Sequence, residues 1–107
     1  MKTHIPVNIA PSFKKIIKRD RSQVLFDKTK IALAIAKAGH ATKEFDSNMA
    51  ELLADKVVTY LNGIVQGDIV QIEQVQDAVE HVLMVSRFKA TAKAYILYRE
   101  QHAEMRS

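Results

Sequence analysis

The spacing of apolar and polar positions divides the 107-residue chain into three stretches. Residues 1–12 contain both prolines, Pro6 and Pro11, show no helical period, and read as an extended N-terminal segment. From Phe13 to Phe26, two short apolar runs, Ile16-Ile17-Lys18 and Gln23-Val24-Leu25-Phe26, flank the polar Arg19-Asp20-Arg21-Ser22. This pattern predicts two short strands joined by a turn. The turn has no glycine, so any residue it needs at positive φ must bear a strain cost.

Beyond Phe26 the period becomes helical. Asp27 is placed to cap a helix reaching Ala38, with Ile31, Ala34, Ile35 and Ala38 on one face and Gly39 where a terminating C′ residue belongs. A second helix is expected from Ser47 to Leu61, turning Met49, Leu52, Leu53, Val57, Tyr60 and Leu61 inward and stopped by Asn62-Gly63. Ile64 to Val70, interrupted by Gln66-Gly67-Asp68, offers one further short strand. A third helix covers Ile72 to Val85 with Ile72, Val75, Val79, Val82 and Leu83 inward. Ser86 is expected to cap a fourth from Arg87 to about Ala103, with Phe88, Ala92, Tyr95, Ile96 and Arg99 along one stripe.

Four amphipathic helices with short joints pack as a bundle, and two strands alone are marginal in water, so the hairpin must lie against that bundle. The predicted fold is mainly α (α+β): a four-helix bundle capped by a small β-hairpin or three-stranded sheet. One domain over 13–103 is expected, with 104–107 as a tail. Composition agrees, with 48% hydrophobic residues, 26% charged, and only three glycines. The absence of cysteine excludes disulfides, thiolate metal sites, iron–sulfur clusters and a Cys nucleophile. The longest apolar run, Ile31 to Ala36, is far below the ~20 residues of a membrane span. The N-terminus lacks a secretory pattern, so the expected location is the cytoplasm, with no membrane partner.

Charge changes the picture more. Residues 1–43 carry ten Lys/Arg against Asp20 and Asp27, a local +8, while residues 44–107 sum to −4. Such a concentration suits an anionic partner, nucleotide phosphates or nucleic acid among them; a solvated lysine face is the plain alternative. If the hairpin folds over the start of the first helix, Lys18, Arg19 and Lys30 surround a helix N-terminus, which itself favours anions. Phe26 and Ile31 would then wall a flat base; the alternative leaves the lysines in solvent and Phe26 in the core. The four histidines, His4, His40, His81 and His102, have no metal-ligand spacing, and no phosphate loop of the G-x-x-x-x-G-K-[ST] type is present. Asp77 and Glu80 read as a solvated pair, and Tyr95 and Tyr98 as core and rim.

The stretch Ile16-Ile17-Lys18-Arg19-Asp20, followed by Phe26-Asp27-x-x-Lys30-Ile31, resembles the opening signature of the ATP-cone, a regulatory nucleotide-binding domain of ribonucleotide reductases. Ile72-Glu73-Gln74-Val75-Gln76-Asp77-Ala78-Val79-Glu80 and Ala94-Tyr95-Ile96-Leu97-Tyr98-Arg99 are similar to its second and third blocks. The likeness spans Phe13 to Arg99, and among reductases it leans toward the anaerobic class. It implies a β cap on a four-helix bundle that binds ATP or dATP as allosteric effector, with Mg²⁺ accompanying the triphosphate. It further implies control of a reductase catalytic domain or subunit, often through nucleotide-dependent self-association. Position by position, Lys18, Arg19 and Lys30 would meet phosphates. Ile17, Val24, Phe26 and Ile31 would border the adenine, with Asp27 in the same signature. Gln76 would face the nucleotide, and Lys93 and Arg99 are further phosphate candidates. Two departures stand out: Arg21 replaces the family's usual Gly, and Val24 replaces a Glu that can meet the adenine amino group.

Two function classes follow. One is an allosteric sensor without catalytic residues of its own. The other is a nucleic-acid-binding helical module or a fragment of a nucleotide-responsive transcriptional regulator, although the regulators that carry such cones add a cysteine zinc ribbon. The first is the expectation, and nucleic acid is not an expected partner.

Overall fold

The computed structural model describes residues 10–106, with side chains as far as His102. Residues 1–9 of the expected extended segment lie outside the described residues. The chain forms β1 (Lys15–Ile17), β2 (Gln23–Leu25), α1 (Lys28–Ala41), α2 (Ser47–Ile64), β3 (Ile69–Gln71), α3 (Ile72–Val85) and α4 (Lys89–Arg106). The three strands make one sheet in the order β2-β1-β3. β1 pairs antiparallel with β2, placing Ile16 opposite Val24, and parallel with β3, placing Ile16 opposite Val70. The expected cap on a four-helix bundle is therefore present, with the third strand.

Local chemistry explains where the elements begin. Asp27 is extended (φ −137°, ψ 107°) and accepts the Thr29 N–H at 3.0 Å, capping α1. Asp46 caps α2 in the same way, accepting from Asn48 N at 3.1 Å. Gln71 and Gln74 form a reciprocal capping box at the start of α3. For α4 the acceptor comes from the α1–α2 connection. Glu44 takes the Thr91 N–H at 2.8 Å and the Thr91 hydroxyl at 2.6 Å. Thr91 is fully buried, and its hydroxyl also meets that of Thr42 at 2.8 Å. The Thr91 hydroxyl holds the Glu44 carboxyl below the usual glutamate range.

Several expected helix ends are corrected. Gly39 does not end α1; it lies buried inside the helix, where a Cβ would come within 2.2 Å of the Phe45 ring. The glycine is there for close approach, and the positive-φ position after the helix belongs to Lys43 (φ 62°). Asn62-Gly63 does not stop α2, which continues to Ile64. The Asn62 side chain instead ties down the preceding segment, accepting from Ser12 N at 2.8 Å and donating to Ala10 O at 3.0 Å. Ser86 ends α3, donating its hydroxyl to Leu83 O at 2.6 Å, and also accepts the Phe88 N–H at 3.1 Å on the way into α4, which starts at Lys89 rather than Arg87. Leu52, expected inward, is exposed, and Ala50, Ala54 and Val58 take the inner face of α2.

The core joins Phe13, Ile35, Leu53, Val57, Leu61, Val70, Val79 and Leu83, with Ala92 and Tyr95 from α4. Val70 plugs β3 into the bundle, and Gly67 (φ 89°) makes the turn that delivers it. The Asp68 carbonyl then receives the N–H groups of Lys14 and Lys15, at 2.8 and 3.1 Å. This fixes the cap over α1, α3 and α4.

Candidate functional site

A hollow of about 290 Å³ opens where the cap meets the bundle. Four periodicities build it. Alternation along β1 sends Ile16 and Lys18 to the same side. Asp27, Lys30, Ile31 and Ala34 form one stripe at the start of α1; Ile72, Val75, Gln76 and Val79 repeat that spacing on α3. Tyr95 and Tyr98, three apart on α4, close the far side, and Val24 and Leu25 supply the β2 wall. The interior is aliphatic and aromatic, while Lys18, Asp27, Lys30 and Gln76 are its charged and amide members, with Asp27 engaged as the α1 cap. Among the described residues neither lysine has an ion-pair partner.

Of the residues expected at a site, Lys18, Val24, Asp27, Lys30, Ile31 and Gln76 line this hollow. Arg19 and Arg99 stand beside it, joined through Gln76. Its Oε1 accepts from Arg19 Nη2 and from Arg99 Nε, each at 3.2 Å. Arg19 is further paired with Glu73 at 2.9 Å, so it faces α3 rather than the N-terminus of α1. Arg99 is gripped by Asp77 at 2.8 Å and Glu80 at 2.6 Å. Those carboxylates, expected to be solvated, therefore neutralise a half-buried guanidinium. Burial of Arg99 works against its charge, but Asp77 and Glu80 outweigh it and raise the pKa.

Besides Arg19 and Arg99, three expected residues are not among those lining the hollow. Ile17 falls on the opposite side of β1 from Ile16 and Lys18. Phe26 packs edge-on against Phe13 at 4.7 Å between centroids, joining the core. Lys93 is exposed, two positions from Tyr95 and so on another face of α4.

A larger and more open groove, about 810 Å³, lies between α2 and the end of α3, with Leu52, Leu53, Val82 and Val85 among its walls. Its charged members, Asp55, Lys56 and Arg87, are of mixed sign.

The family model of the ATP cone domain matches residues 14–104, which includes the cap and all the residues that line the smaller hollow. The chain belongs to the ATP-cone family. It is 43% identical over 98 residues to the vitamin B12-dependent ribonucleoside-diphosphate reductase of Thermoplasma acidophilum, covering 87% of this chain and 12% of that protein. The ribonucleoside-diphosphate reductase subunit alpha of Chlamydia muridarum is 37% identical over 100 residues, 85% of this chain and 10% of its own length. The anaerobic ribonucleoside-triphosphate reductase of Haemophilus influenzae is 38% identical over 84 residues, 78% of this chain and 12% of its own. This ATP cone thus spans about a tenth of the curated relatives it matches. Those relatives include the anaerobic class without singling it out.

Both departures from the family pattern have a visible setting. In the cap of this ATP cone, Arg21 stands at φ 75°, the backbone region that a glycine would occupy without strain. The turn is held by Arg21 N donating to Lys18 O at 2.9 Å and by Asp20, whose carboxylate accepts from both the N–H and the hydroxyl of Ser22. Those Ser22 bonds draw the Asp20 carboxyl below its ordinary range. Val24 lines the hollow with an apolar side chain, so no carboxylate stands there. β2 is an edge strand, and the bonds from Lys18 N to Ser22 O and from Phe26 N to Lys14 O fix which residues pair with β1. The backbone groups of Gln23 and Leu25 consequently face off the sheet edge.

The lining residues that motif reading missed are Ile16, Leu25, Ala34, Ile72, Val75, Val79, Tyr95 and Tyr98. Strand parity relative to Lys18 would have found Ile16, and the four-residue helical spacing from Lys30 and from Gln76 would have found Ala34 and Ile72. Tyr95 is buried and its phenol is pushed up to about 12, chiefly by desolvation, so it is a neutral hydroxyl in the wall of the hollow at physiological pH.

Among the described residues no His, Asp and Glu cluster could hold a metal, and no helix is long and apolar enough to cross a membrane.

Proposed function

We propose that this ATP cone is an allosteric domain that binds ATP or dATP in the hollow between cap and bundle and regulates a ribonucleotide reductase in the cytoplasm. The observation that carries the reading is the pairing of an apolar trough with two lysines, Lys18 and Lys30, that have no ion-pair partner among the described residues. At about 290 Å³ the trough lies at the small end of the ~300–1,000 Å³ range of ligand pockets, which suits a base and sugar inside with phosphates at the charged mouth. The off-sheet backbone of Leu25 and Gln23 supports recognition of a base edge without the missing carboxylate.

In this reading Lys18 and Lys30 neutralise phosphates, and Ile31, Val24, Val75 and Tyr95 border the base. Asp27 holds the α1 terminus, and Gln76 faces the nucleotide. Ile17 and Phe26 support the wall from behind. Arg99, already held by two carboxylates, positions Gln76, and Lys93 contributes only long-range charge. Mg²⁺ would arrive on the triphosphate, whose oxygens supply most of its ligands. The reductases it resembles are about ten times longer than this domain, which supports a reductase catalytic domain or subunit as the partner, with this domain supplying control and no catalysis of its own. Control requires the effectors to differ in affinity for alternative assemblies, because only a differential interaction shifts an equilibrium.

Titration calorimetry with ATP and with dATP tests the reading, and sedimentation with each nucleotide tests self-association. Saturable binding weakened in Lys18→Ala and Lys30→Ala is expected. Absence of saturation with either nucleotide overturns it.

A further inference from the structure

The arginine nearest the mouth of the hollow is not free to meet an anion, because the chain already supplies one. Arg19 Nε lies 2.9 Å from Glu73 Oε2, and Arg19 Nη2 donates to Gln76 Oε1 at 3.2 Å. Gln76 both lines the hollow and holds Arg99, so a single amide oxygen is shared by a guanidinium of the cap and one of α4. The Arg19–Glu73 pair is only partly covered, with side-chain exposures of 30% and 46%. It can therefore open without unpacking the core.

We propose that Glu73 is a tethered competitor for Arg19: its carboxylate holds the guanidinium, and a polyphosphate displaces it. The proposal rests on the nucleotide reading given above and concerns how that site is regulated. Its physical basis is competition between two anions for one cation. A surface carboxylate contributes little to such a pair, whereas a polyphosphate brings more charge and more acceptor oxygens. The exchange would also take Arg19 off Gln76, leaving that amide to Arg99 alone. Occupancy of the cap would thereby alter the hydrogen bonding between α3 and α4, through groups that already touch.

The test uses the full 107-residue chain, with ATP and inorganic tripolyphosphate as probes. Glu73→Gln removes the competing charge at a half-exposed position, and Glu73→Ala is the second variant should the amide form a new bond to Arg19. Both are expected to bind each probe about three- to tenfold more tightly than wild type, the scale of one partly exposed ion pair together with one relieved repulsion. Arg19→Ala should weaken binding, and in that background Glu73→Gln should tighten it much less, because the competed-for cation is gone. Binding that depends on Arg19 but is unchanged or weakened in both Glu73 variants overturns the competitor while leaving the site in place. Equal tightening with and without Arg19 also overturns it, reducing Glu73 to diffuse repulsion. Failure of wild type to bind either probe removes the nucleotide reading and this proposal together.

Discussion

Arg21 shows how one side chain can carry both a strain cost and a charge. Its φ of 75° lies in the left-handed region, where a non-glycine residue costs roughly 1–2 kcal/mol. Arg21→Gly is therefore expected to raise unfolding stability by about 1 kcal/mol, since the greater freedom of unfolded glycine offsets part of the relief. Urea denaturation measures it, and a loss of stability would mean that the arginine makes a compensating contact. Lys18 and Lys30 belong to the same scale. Replacing either with Ala should weaken ATP binding by about tenfold or more, since hydrogen bonds to charged groups contribute ~1.5–3 kcal/mol. Lys93→Ala, on another face of α4, should change affinity much less in the same titration. Glu44 predicts a pH effect. Its carboxyl is depressed in the folded chain, so the stabilisation is present above the ordinary glutamate range and is lost as pH falls through the folded value. Asp20 acts with the same sign, so the comparison that isolates Glu44 is wild type against Glu44→Gln. Wild-type stability should decline more steeply on acidification than that of the variant, and parallel curves would contradict the assignment.

Elements were legible where a period or a cap stated them, and less so where glycine or serine had two uses. The bounds of α3 follow directly from its apolar stripe, and Asp27 and the polar turn around Asp20 announce α1 and the hairpin. Gly39 was misleading because a glycine that ends a helix and one that admits a neighbouring ring look alike in sequence; only Phe45, brought back by the next connection, separates them. Gly39→Ala is correspondingly predicted to destabilise by about 1 kcal/mol or more: overpacking costs ~1–3 kcal/mol, against a helix-propensity gain of ~1 kcal/mol. Thermal denaturation decides, and a stabilised variant would show that the Phe45 ring swings away freely. Asn62 misleads for a related reason, since its side chain serves the segment before β1, and Ser86 serves both the end of α3 and the turn into α4. At the site, the motif located Lys18, Lys30 and Gln76 among the lining residues. It could not foresee that Arg19 is turned to Glu73, a partner distant in sequence, whereas Phe26 in the core, against Phe13, is the alternative that composition and spacing leave open.

For the whole molecule, the candidate site draws on β1, β2, α1, α3 and α4, so a bound nucleotide should stabilise the entire fold rather than one part. At a ligand concentration one hundred times Kd the expected gain is about 2.7 kcal/mol. Differential scanning calorimetry with and without ATP reads it as a rise in Tm, and an unchanged Tm at concentrations that saturate binding would show that the ligand does not select the folded state. The parallel pairing of β1 with β3 has a further consequence, for folding kinetics. Ile16 and Val70 become neighbours only after the chain has travelled through two helices, and such long loops close slowly. The hollow is thus expected to form late, after the α1–α2 hairpin, and the rate at which a refolding chain regains affinity for nucleotide would report the closing of that one strand pair.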